Sequence, residues 1–134
     1  MFIDTHAHLF YPNFNGEVDE VIERAKNAGI DYMIVPGTDL ASSAKAIELA
    51  DKYDMIYAAV GVHPHDSKEW NESFIPKLEE IVKHKKVVAI GEVGLDYFYD
   101  FSPREAQLKA FEDQIEMALK HNLPIIIHNR EAND

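Results

Sequence analysis

The stretch "KVVAIGEVGLDY", residues 86–97, decides the fold. It begins as a β-branched apolar run of strand length and then places two carboxylates, Glu92 and Asp96, directly after that run. Runs of the same kind recur outward from it in both directions: "MFID" (1–4), "GIDYMIVPG" (29–37), "MIYAAVG" (55–61) and "LPIIIHN" (123–129). Between them apolar residues fall at helical spacing. They are Val18, Val21, Ile22 and Ala25; Leu40, Ala44 and Ile47; Phe74, Leu78, Ile81 and Val82; then Leu108, Phe111, Ile115, Ala118 and Leu119. Five strands alternating with four helices, at intervals of roughly thirty residues, predict βαβ units with right-handed crossovers and a parallel sheet. The fold class is α/β. For the last helix the sequence predicts Ser102 as N-cap, Pro103 at the first helical position, Glu105 completing a capping box, and a stop at Asn122-Leu123-Pro124.

Composition narrows the function classes. The 134 residues are 46% apolar, enough for one domain with a real core, and no linker or low-complexity tract divides residues 1–134. No basic-led apolar leader and no membrane-length apolar run occurs, so a cytoplasmic protein without a membrane role is expected. With no cysteine, disulfides and thiolate metal sites are both excluded, and any metal must be held by His, Asp and Glu. That favours Zn, Mn or Mg. A formal charge of −11 argues against a broad basic surface for a polyanion, so any nucleic-acid contact must be local to one cleft.

In parallel α/β folds functional groups collect at the carboxyl ends of strands. Here the first strand runs into Asp4, His6 and His8, and the third into "GVHPH" with His63 and His65. The fourth runs into Glu92 and Asp96, and the fifth into "IIIHNR" with His128 and Arg130. The second ends in "VPGTD", with Asp39. Residues two apart on a strand share a side, so Asp4, His6 and His8 can converge and two imidazoles can clamp one cation. Glu92 can add an oxygen ligand or bridge two cations. Each residue also has a structural reading. Paired histidines at a strand end can bond to backbone, Glu92 can accept backbone N–H groups, and His128 can be a satisfied core histidine. Asp39 reads most simply as the N-cap of the second helix, and His65 and Asp96 as residues that shape their turns. The joint pattern, four strand ends all carrying metal-competent side chains, favours the metal reading.

"DTHAHL", "GVHPHD", "GEVGLDY" and "LPIIIHNREA", in this order, resemble the N-terminal signatures of the TatD-type metal-dependent deoxyribonucleases of the amidohydrolase superfamily. The resemblance spans the whole chain and implies a (β/α)8 barrel, of which this chain would form the N-terminal half: about (βα)4 plus a fifth strand. It implies that His6, His8 and Glu92 hold one divalent metal ion, that Glu92 bridges to a second which also takes His128, and that His63 contacts the scissile phosphate. Glu92 and His63 would thus be the catalytic pair, and Arg130 a further phosphate contact. The implied activity is phosphodiester hydrolysis at DNA 3′ ends, on short single strands, supported by Mg²⁺, Mn²⁺ or Zn²⁺.

Such a barrel has about 250 residues. The family's later His, for the second metal, and its later Asp would fall beyond residue 134, so the sequence reads as part of a longer parent. An open arc would leave its first and fifth strands as edges, inviting homo-oligomers, or would flatten into an open doubly wound five-stranded sheet. Two rival functions stand beside the nuclease: a catalytically incomplete metal-binding or assembly module, and a superfamily hydrolase acting on a different substrate.

Overall fold

The structure, a computed structural model, describes residues 1–133. Its strands are β1 (Phe2–Asp4), β2 (Ile30–Pro36), β3 (Ile56–Val60), β4 (Val87–Asp96) and β5 (Ile125–Arg130). The intervening helices are α1 (Val18–Asn27), α2 (Leu40–Lys52), α3 (Phe74–Val82) and α4 (Arg104–His121), with short 3₁₀ turns at Pro12–Phe14 and Pro64–Glu69. All neighbouring strands pair in parallel, in the order β1-β2-β3-β4-β5.

That order excludes the doubly wound alternative. A doubly wound sheet reverses direction at a switch point and covers both faces, whereas right-handed crossovers that always step the same way put every helix on one face. On that face Met33, Val35, Ile56 and Val87 from the sheet pack with Ile22, Ala46, Leu78 and Met117 from the helices. The opposite face carries Ile3, Tyr32, Ile34, Tyr57 and Val88 around an open concavity. The sheet is a curled half-barrel with its inner wall uncovered.

Two local expectations are corrected. Helix α4 starts at Arg104, with Pro103 at the cap position and no side-chain cap. Ser102 is buried because its hydroxyl instead donates to the His65 carbonyl at 2.8 Å and accepts from the Lys68 N–H at 3.0 Å. The buried face of α4 is only partly the predicted one, with Ala118 buried and Phe111 packed on the core as expected. Leu108 and Leu119 are exposed, while Gln107 and Gln114 are buried together with Ala110, Met117 and Ala118. The cap of α2 is as read: Asp39 accepts from the Ser42 N–H at 2.7 Å, and the Ser42 hydroxyl oxygen in turn accepts from the Asp39 N–H at 2.9 Å. Among the described residues, no helix is long and apolar enough to cross a membrane.

Candidate metal centre

The site grows from the carboxyl edge of the sheet. Strand β4 lies so close to β5 at Gly94 that a Cβ there would fall 2.0 Å from the His128 carbonyl oxygen, and this glycine also has φ near +143°. The close approach sets Glu92 and Asp96 beside His128. Two buried glutamines of α4 hold the strand ends. Gln114 accepts from the Val62 N–H at 2.7 Å and donates to the Val62 carbonyl at 3.1 Å, while Gln107 does the same for Asp96 at 2.8 and 3.1 Å. Their polar groups replace the water that a strand end would otherwise need.

Glu92, itself buried, is the hub. Its Oε2 lies 3.1 Å from His6 Nε2 and 3.3 Å from His8 Nε2, and its Oε1 lies 3.1 Å from His128 Nδ1 and 3.7 Å from His63 Nε2. Burial pushes the Glu92 carboxyl up. The surrounding imidazoles in their protonated form, His8 first and then His63, His6 and His128, outweigh that, and its pKa settles at about 2.

The partners decide where the imidazole protons sit. His8 Nδ1 is 3.0 Å from the Pro36 carbonyl, which can only accept, so Nδ1 carries the proton and in the neutral ring Nε2 is a bare lone pair. That lone pair faces Glu92 Oε2 and, at 3.1 Å, His6 Nε2. One proton on His6 satisfies a single contact of this group, whereas a cation satisfies all three. His6, His8 and Glu92 therefore fit a divalent cation by donor type and convergence.

A second group surrounds Asp96. Its Oδ2 is 2.8 Å from both His65 Nε2 and His128 Nε2, and its Oδ1 accepts from the Tyr99 N–H at 3.0 Å. Burial raises the Asp96 carboxyl, but these three hydrogen bonds prevail and hold it well below the ordinary carboxylate range. An ionised Asp96 places a proton on Nε2 of each histidine, so the neutral His128 ring turns a bare Nδ1 toward Glu92 Oε1. Two acceptors facing each other in this way again fit a cation. His63 differs. Its Nδ1 accepts from the His65 N–H at 3.1 Å, which leaves the proton on Nε2, and burial drops its pKa to about 4. His63 is thus a neutral N–H donor aimed into the centre, although it stands near His65 and His128 in a group of three imidazoles.

All the strand-end candidates except Asp39, the cap of α2, and two others meet here. Asp4 instead accepts from the His6 N–H at 3.0 Å, and β1 ends at Asp4. The loop, not strand alternation, brings His6 and His8 together. Arg130 lies to one side, its guanidinium over the rings of Phe98 and Tyr99 at 4.5 and 4.8 Å. His65 and Asp96 do more than shape turns: they connect the third and fifth strand ends. A cleft of about 220 Å³ lined by Tyr11, Thr38, His63, His65, Asp66 and Glu92 adjoins the centre.

Sequential parallel strands, helices on one face and a histidine–carboxylate centre at the carboxyl edge define a (β/α)-barrel protein with a site suited to divalent cations. The chain belongs to the TatD related DNase family, whose model matches residues 3–134. It is 46% identical over all 134 of its residues to the uncharacterized metal-dependent hydrolase YabD of Bacillus subtilis, covering 52% of that protein. It is 42% identical over 132 residues, 98% of this chain, to the 3'-5' ssDNA/RNA exonuclease TatD of Edwardsiella piscicida, covering 51% of it. Among solved structures it superposes on YJJV, a TatD homologue from Escherichia coli, with a TM-score of 0.89 at 36% identity, covering 97% of this chain and 51% of that one. The chain thus spans about half the length of the relatives it matches.

Proposed function

We propose that residues 1–134 act as one unit, the N-terminal half of a metal-dependent phosphodiester hydrolase working on 3′ ends of single-stranded DNA. The observation that carries this reading is the division of Glu92, whose two oxygens face two different sets of imidazoles. In this reading His6, His8 and Glu92 hold one divalent ion, and Glu92 and His128 contribute to a second, the ions being Mg²⁺, Mn²⁺ or Zn²⁺. When bound, such a pair supplies positive charge against the phosphodiester and makes hydroxide available at neutral pH.

The chain's own residues do the rest. His63, neutral and protonated on Nε2, donates a hydrogen bond to a phosphate oxygen without losing its proton. Arg130, for which no ion pair is formed among the described residues, offers a guanidinium to a neighbouring phosphate. Names of the relatives as ssDNA/RNA exonucleases support the substrate class.

The test is nucleotide release from a 3′-labelled single strand with Mg²⁺ or Mn²⁺, with Glu92→Gln in parallel. Release by the parent chain that disappears in the variant is expected. Cation binding with no release from either would sink the hydrolase reading for this chain and leave the metal-binding or assembly module, a reading the uncovered inner wall favours.

A further inference from the structure

The loop that leaves β4 presents three large rings to solvent immediately beside the metal centre. Phe98, Tyr99 and Phe101 are 50%, 45% and 57% exposed. They form an ordered set: Tyr99 and Phe101 are stacked, with centroids 4.9 Å apart and planes 10° from parallel, and Phe98 meets Tyr99 edge-on at 4.8 Å. Phe101 and Tyr99 in turn touch the His65 ring, at 4.9 and 5.6 Å. Arg130 lies over Phe98 and Tyr99, so a cation is built into the same surface.

This surface is held rigid while exposed. Tyr97 N–H donates to the Arg130 carbonyl at 2.9 Å, Tyr99 N–H to Asp96, and the Ser102 hydroxyl to the His65 carbonyl at 2.8 Å. Arg104 bonds both oxygens of Asp100, each at 3.1 Å, and covers the Tyr97 ring. Anchored rings lose little entropy when a flat partner arrives. The net charge of −11 argues against a broad basic track for a nucleic-acid backbone, so contacts that are not charge-led would add to the hold on a single strand. Base stacking on aromatic side chains beside an arginine is such a contact, and it tolerates any sequence.

We propose that Phe98, Tyr99, Phe101 and Arg130 form a nucleobase-stacking shelf that seats one or two bases of a single strand next to the phosphodiester at the metal centre. The proposal rests on the phosphodiesterase reading above and adds the residues that grip the strand. A second copy of the chain is the competing occupant.

The experiment compares binding of a labelled five-residue oligothymidylate with the same strand made abasic at its two 3′-terminal positions. Affinities are measured by fluorescence anisotropy with chelator and with Ca²⁺, for the parent chain and for Phe98→Leu/Tyr99→Leu/Phe101→Leu, which keeps apolar bulk but removes all three rings. Thermal melting checks that the variant folds. The base-bearing strand should bind the parent at least roughly tenfold more tightly than the abasic one, and the variant should lose that difference. Equal affinity for the two strands, or a difference that survives in the variant, overturns the shelf. No binding of either strand also overturns it; nucleotide release at high substrate would still leave the phosphodiesterase reading standing, and its absence would remove both. Sedimentation supplies the last outcome: if the substitutions turn a dimer into a monomer, the rings cover another copy and the shelf is wrong.

Discussion

At the scale of single residues, the centre is organised by which nitrogen of each histidine is already occupied. Pro36 takes the proton side of His8, the His65 N–H takes Nδ1 of His63, and Asp96 takes Nε2 of both His65 and His128. What remains pointing inward is a set of lone pairs around Glu92 plus one N–H donor. Asp96 is then a positioning residue, setting the ring orientation of His128 as carboxylates do behind metal-bound histidines. Asp96→Asn is expected to weaken cation binding by about 10- to 100-fold while His6, His8 and Glu92 stay intact, as read by titration calorimetry with Mn²⁺. Unchanged affinity would show that His128 does not depend on Asp96. His6, His8, His63, Glu92 and His128 were legible as candidates because each lies in or just after the carboxyl half of a strand. Asp96 and His65 were legible as strand-end candidates or turn residues but not as partners of each other, since their bond spans 31 positions and depends on how β3, β4 and β5 lie side by side.

At the scale of elements, the alternation of apolar runs placed all five strands to within a residue or two, because β-branched runs and helical spacing are local properties. Leu108 and Leu119 of α4 fall off the predicted face for the opposite reason. Burial there is decided by hydrogen bonds to other elements, which make two glutamines better core residues than Leu108 and Leu119. The Ser102 cap failed in the same way, its hydroxyl being claimed by the backbone around His65. Gln114 links α4 to the loop that carries His63, through both backbone groups of Val62. Gln114→Leu keeps the volume roughly constant but strands the Val62 N–H and carbonyl in a buried place. A loss of at least about 2 kcal/mol of unfolding free energy is expected, measured by urea denaturation. A cost near zero would mean that water reaches Val62 and that the glutamine is dispensable.

At the scale of the whole molecule, the helices cover one face of the sheet and nothing among the described residues covers the other. Ile3 and Tyr32, 50% and 41% exposed, lie with Ile34, Tyr57 and Val88 in one apolar concavity, and β1 and β5 each have an unpaired edge. A closed barrel removes both liabilities at once, by pairing the edges and filling the interior with side chains. In the isolated chain the same forces act between molecules, because apolar wall and unpaired edge are contiguous and a second arc presents the complementary surface. The mass of the 134-residue chain by sedimentation equilibrium is therefore expected to exceed that of a monomer. Ile3→Lys/Tyr32→Lys should return it to the monomer, since two ammonium groups on the wall would have to be desolvated on association. A parent chain that is monomeric at every concentration would refute this, and would mean that the curled wall is too shallow for one arc to seat against another.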